Sequence, residues 1–84
     1  MAPGPKNPRK HPYLAALGAA VRTRRERLGL SQEDLGFEAE IHRTYIGGIE
    51  RGERNPTVLS LIKLADVLNT TPAALLRESE RSLR

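Results

Sequence analysis

The sequence predicts an all-α fold of five short helices. Apolar residues recur at three- and four-residue spacings. Capping residues or prolines precede the periodic runs, and Gly or Asn follows them. No segment alternates apolar and polar residues as a strand does. The 84 residues correspond to one domain. A core of that size is marginal alone, so oligomerisation is a common supplement.

The elements follow in order. Residues 1–12, "MAPGPKNPRKHP", carry four prolines together with Lys6, Arg9, Lys10 and His11, and read as a flexible basic arm. Pro12 suits a first helical turn. Leu14, Leu17, Gly18, Val21, Arg25 and Leu28 then fall in one stripe at 100° per residue, and Gly29 is the expected C-terminal cap. Arg25 points where apolar residues point, so it needs a partner. "LSQED" opens a second helix, with Ser31 as cap, Asp34 as the capping-box acid, and Leu30 and Leu35 as the hydrophobic staple. It runs to about Ala39, with Glu40 and Ile41 as a turn. A third helix spans about 42–51 and ends at Gly52. Thr57 caps a fourth helix, whose buried face is expected to be Val58, Leu61, Ile62, Ala65 and Leu68, with Asn69 at its end. Thr71 and Pro72 begin a short fifth helix carrying Leu75 and Leu76. The domain is expected over 13–78, followed by a flexible tail at 79–84.

Charge and composition narrow the function. Residues 1–27 hold seven Lys/Arg against one acid, whereas residues 28–56 hold three against six. A basic N-terminal third points to a polyanionic partner, unless it is a solvated basic face. The absence of cysteine excludes disulfides and the usual zinc frameworks, and a reducing cytoplasm is the natural setting. No apolar run approaches the ~20 residues of a membrane span, and the N-terminus lacks the apolar centre of a secretory signal. No nucleophile–base–acid set and no phosphate-binding glycine loop is visible, so neither catalysis nor a cofactor is expected. His11 and His42 read as surface or capping residues rather than as metal ligands.

The second and third helices are short and nearly adjacent, the arrangement of a helix-turn-helix. On a helical wheel, Ile46 and Ile49 point one way, with Tyr45 at the margin. Arg43, Thr44, Gly47, Gly48 and Arg51 occupy a separate arc that contains no carboxylate. Each glycine costs a helix interior roughly 1 kcal/mol relative to alanine. One reading is that the pair faces outward and lets the helix sit deep in a DNA groove. The other is that it accommodates a crossing helix. Glu50 is an acid in a last helical turn, where it opposes the macrodipole. Arg25 and Glu50 cancel each other's faults if they meet.

"LSQEDLGFEAEIHRTYIGGIERGERNP" resembles the helix-turn-helix of the XRE family, the lambda-repressor and Cro-like DNA-binding proteins. "HRTYIGGIERGERNP" especially resembles the controller proteins of restriction–modification systems. The resemblance covers residues 14–76 and implies a five-helix lambda-repressor-like domain. It further implies a homodimeric transcriptional regulator reading a palindromic site in double-stranded DNA. Gln32 would bind a phosphate and buttress the recognition helix. Arg43 and Thr44 would face bases, and Arg51, Arg54 and Asn55 would hold the backbone. The family characteristically carries an ion pair such as Arg25–Glu50. Three positions depart from the pattern: Gly36 replaces alanine, Glu40 stands where glycine supplies the turn, and His42 replaces a serine cap. An antitoxin-type autorepressor and a non-DNA-reading interaction module are the alternative functions. The chain leaves no room for a sensing domain, so no small-molecule ligand is expected. Leu59, Val67, Leu75 and Leu76 are the expected dimer surface, and Phe37, opposite Leu35, is expected to be exposed.

Overall fold

The computed structural model describes residues 11–84. They form α1 (Pro12–Arg27), α2 (Gln32–Ala39), α3 (Arg43–Glu50), α4 (Val58–Val67) and α5 (Pro72–Ser82). There is no strand among the described residues. The expected arm lies outside them except for His11 and Pro12, which begin α1.

Local chemistry sets the helix boundaries. The Tyr13 N–H donates to His11 Nδ1 at 3.2 Å, and Pro12 supplies the preset φ of a first turn. At α2 the Asp34 N–H donates to Ser31 Oγ and the Ser31 N–H donates to Asp34 Oδ2, both at 2.9 Å. The bond from the Ser31 backbone, reinforced by the Ser31 hydroxyl, holds the Asp34 carboxyl below its ordinary range. Thr57 and Thr71 cap α4 and α5 through bonds of 3.1 Å to Ser60 N–H and Ala74 N–H. Gly29, Gly52 and Asn69 end α1, α3 and α4 in the left-handed conformation.

One cluster forms the core: Leu17, Val21, Leu35, Ala39, Ile46, Ile49, Leu61, Leu64, Ala65, Leu68 and Leu75. Helix α1 packs on α3 and α5, α2 packs on α3 and α4, and α4 packs on α5. The contact of α1 with α3 is set at Gly18. A Cβ there would stand 2.2 Å from the Ile49 carbonyl oxygen, so the two backbones meet where only glycine fits.

Three expectations need correction. The buried stripe of α4 is Leu61, Leu64, Ala65 and Leu68, whereas Val58 and Ile62 are exposed. The segment "VLSLIKLADVL" is apolar enough to satisfy helical spacing on two adjacent stripes, and the packing of α4 on α2 and α5 selects one. Leu28 is also exposed, at 43%, because it sits at the cap beyond the last turn of α1. Finally, α5 continues to Ser82, past the boundary expected at 78. Ser79 is fully buried there, and its hydroxyl donates to the Leu75 carbonyl at 2.8 Å, which removes the cost of burying it. Arg24–Glu78 at 2.9 Å and Tyr13 Oη–Glu80 at 3.0 Å fasten this extension to α1.

The register of α4 can be tested by denaturation of dilute protein. Leu64→Ala should destabilise by about 2–5 kcal/mol, as a fully buried leucine does. Val58→Ala should cost about 0.5 kcal/mol or less. Equal losses would place both residues in the core.

Candidate nucleic-acid interface

The turn between α2 and α3 is built by Gly36 and Glu40. Glu40 adopts φ 57° and ψ 43°, a left-handed conformation uncommon for a residue with a side chain. The chain then folds back over α2, and the Ile41 N–H donates to the Gly36 carbonyl at 2.8 Å. A Cβ at Gly36 would lie 2.4 Å from the Ile41 carbonyl oxygen. Glycine at 36 therefore lets the turn cross directly over the helix it leaves. His42 caps α3 by accepting the Thr44 N–H at its Nδ1, 3.1 Å away.

The orientation of α3 is held from beneath. Arg25 Nε lies 2.7 Å from Glu50 Oε2, and Arg25 Nη2 lies 3.0 Å from Glu50 Oε1. Only 11% of the Arg25 side chain and 2% of the Glu50 side chain are exposed. Hydrogen bonding to Glu50 raises the Arg25 pKa above its ordinary value, and burial opposes that shift. Arg25 Nη1 also donates to the Leu30 carbonyl at 2.8 Å, and Gln32 Nε2 donates to Glu50 Oε1 at 3.0 Å. Gln32 thus ties the first turn of α2 to the last turn of α3.

On the outer side, Arg43, Thr44 and Arg51 are exposed around an open hollow of about 300 Å3, which Gln32 and Gly47 also line. Glu50 is the only acid within α3, and it is buried, so α3 itself presents no carboxylate to solvent. Each of two outward arginines pairs with an acid on a neighbouring segment. Arg43 Nη1 approaches Glu33 Oε2 at 3.5 Å, and Arg51 Nε approaches Glu53 Oε2 at 3.0 Å. Arg54 lies over the Tyr45 ring, 5.9 Å from its centroid. The Tyr45 hydroxyl donates to the Asn55 carbonyl at 3.5 Å, and Asn55 itself is exposed.

A helix-turn-helix profile matches residues 21–75. The chain belongs to the helix-turn-helix family of DNA-binding transcription regulators. It is similar to control protein C.SmaI of Serratia marcescens, with 50% identity over 60 residues, 71% of each chain. Its fold matches the restriction–modification controller protein C.AhdI of Aeromonas hydrophila at a TM-score of 0.72 and 42% identity, over 74% of this chain and 94% of that one. It also matches SinR, a master regulator of biofilm formation solved in complex with DNA, at a TM-score of 0.69 and 30% identity, over 71% of this chain and 97% of that one.

In this helix-turn-helix, Gly47 and Gly48 are neither bare to solvent nor crossed by another helix. Both are buried, covered by side chains lying along the outer face of α3. A Cβ at Gly47 would meet Arg51 Nη1 at 3.0 Å and Gln32 Oε1 at 3.3 Å, and one at Gly48 would meet Arg54 Cγ at 2.5 Å. The dimer expectation also changes. Leu75 is fully buried in the core, Val67 and Leu76 are half-buried against it, and Leu59 is 71% exposed beside Val58 and Ile62. Phe37 is 85% exposed on α2. The roles of Glu33, Glu53 and Tyr45 as holders of the three arginines escaped sequence reasoning. Arg43 meets Glu33 across the turn, and Arg51 meets Glu53 beyond the helix end, so no helical spacing announces either pair.

Arg25→Ala should destabilise the protein by about 3 kcal/mol or more, because it strands the buried Glu50 carboxylate. Apolar replacement of both residues should cost less than either single change. Thermal melts of the three variants decide this, and an unchanged melting temperature in Arg25→Ala would contradict it.

Proposed function

We propose that the chain acts as a homodimeric control protein of the restriction–modification type, binding a palindromic operator with α3 in the major groove. The observation that carries this reading is the outer face of α3, where Arg43 and Thr44 project from a helix whose only carboxylate is buried, and Arg51 and Arg54, just beyond its end, lie back along it. Similarity to C.SmaI and C.AhdI supports the controller assignment. Among the described residues no single helix is long and apolar enough to cross a membrane.

In this mechanism Arg43 and Thr44, at the front of α3, read base edges. An arginine can give two hydrogen bonds to guanine O6 and N7, and a threonine methyl can pack on a thymine methyl. Gln32, Arg51, Arg54 and Asn55 hold the phosphate backbone on either side. Gly47 and Gly48 serve this surface without presenting a side chain to a base. The second copy docks on the exposed apolar stretch of α4, Val58, Leu59 and Ile62, so that two recognition helices enter successive major-groove segments about 34 Å apart. This replaces Leu75 as a dimer contact and keeps Leu59.

Arg43→Ala should relax preference at one base pair in each half-site, a loss of roughly 1–3 kcal/mol of discrimination there, with general DNA affinity largely retained. Arg51→Ala should weaken binding to all sequences and flatten the salt dependence by about one unit of slope. Site selection from random duplexes, followed by binding profiles over single-base variants, measures the first effect, and salt titrations measure the second. Binding that does not change with salt would instead indicate an interaction module that does not read DNA.

The dimer surface has its own test. Leu59→Glu combined with Ile62→Glu should give a folded monomer in analytical ultracentrifugation and should lose binding to the full palindrome. Retention of the dimer would move the interface elsewhere.

A further inference from the structure

We infer that Gly48 is a positioning residue for Arg54, and that the Gly48–Tyr45 surface holds Arg54 extended along α3 as a pre-oriented phosphate anchor. The inference rests on the DNA-binding reading above and adds a division of labour among its arginines.

Three contacts place Arg54. Its N–H donates to the Gly48 carbonyl at 3.2 Å, beside the Glu53 N–H, which bonds the same oxygen at 2.8 Å. The chain after α3 therefore doubles back onto Gly48. The Arg54 stem then lies on that glycine so closely that a Cβ would come within 2.5 Å of its Cγ. The guanidinium ends over the Tyr45 ring, three residues back along α3. A methyl group at 48 would meet the middle of the Arg54 side chain, where the main chain is close and fixed, and would lift the guanidinium off the ring. Gly47 differs, since the atoms nearest a Cβ there are the outer ends of the Arg51 and Gln32 side chains, at 3.0 and 3.3 Å, and a small shift accommodates it without moving Arg54.

Charge distinguishes Arg54 as well. Arg43 and Arg51 spend the unbound state on Glu33 and Glu53 and must exchange a carboxylate for a phosphate on binding. Arg54 rests on an aromatic face and, among the described residues, forms no ion pair that binding would have to break. It can meet a phosphate in the geometry it already holds, which reduces the ordering cost of that contact.

The test is a double-mutant cycle of Gly48→Ala and Arg54→Ala on a fluorescent duplex of mixed sequence, with Gly47→Ala as the control for the measurement made without DNA. Arg54→Ala should lower the slope of log K against log salt by about one unit. Gly48→Ala should lower it in the same direction, and the double variant should match Arg54→Ala alone. In the protein without DNA, NMR should show upfield ring-current shifts of the Arg54 side-chain protons that vanish in Gly48→Ala and persist in Gly47→Ala. That measurement stands even if the duplex is not bound, so failure of the DNA reading and failure of this inference are separable. Equal losses from Gly48→Ala with and without Arg54 would overturn the inference, since the glycine would then act by its own approach to DNA. Unaltered ring-current shifts in Gly48→Ala would overturn it too. So would loss of the fold in Gly48→Ala that Arg54→Ala does not rescue.

Discussion

The placement of the recognition helix depends on one carboxylate. Glu50 accepts hydrogen bonds from Arg25 Nε, Arg25 Nη2 and Gln32 Nε2, and so joins α1, α2 and α3 at a single buried point. Its position in the last turn of α3 is unfavourable to the helix dipole, and its burial is unfavourable to its charge. A bidentate guanidinium offsets both. The value of such a pair lies less in net stability than in fixing one geometry, because a rotated α3 would leave buried charge unpaired. Among the described residues no buried side-chain polar atom lacks a partner, so the network is complete as built.

Much of this arrangement was legible in the sequence. An arginine in an apolar stripe and an acid at a helix end are both anomalies, and anomalies of opposite charge invite pairing. Caps such as Ser31, Thr57 and Thr71 were legible because each acts within three residues of itself. The buried face of the fourth helix is not legible because its sequence fits two stripes, and only tertiary packing distinguishes Leu64 from Ile62. The fifth helix is longer than its sequence suggests because "SERSLR" looks like a solvated tail. A serine whose hydroxyl bonds back to its own helix can be buried as readily as a small apolar residue.

The glycine pair shows a different limit. A helical wheel placed Gly47 and Gly48 on the outer face, and that direction is right. What a wheel omits is the length of the arginine side chains, which fold over the helix and bury the glycines from outside. The loss of helix propensity is thus the cost of a smooth channel for neighbouring side chains. Gly36 and Glu40 divide another cost at the turn: one gives up a side chain to let the chain pass, and the other holds a strained conformation once it has passed.

The arginine–acid contacts have a further consequence for how such a protein searches. Residues 28–56 contain the whole reading surface, yet they hold twice as many acids as bases, whereas the excess positive charge lies in residues 1–27. The reading face carries its own counterions. On the proposed reading, DNA arriving at Arg43 would displace Glu33 and gain little from a wrong base, since exposed pairs are worth roughly 0–1 kcal/mol and the exchange is nearly even. Long-range attraction is thereby separated from close reading. On the proposed reading, the basic N-terminal third and the backbone contacts of Arg51 and Arg54 would hold DNA of any sequence, and Arg43 would contribute strongly only where a base edge rewards the exchange. Residence on the wrong sequence would then be short, and the search would continue.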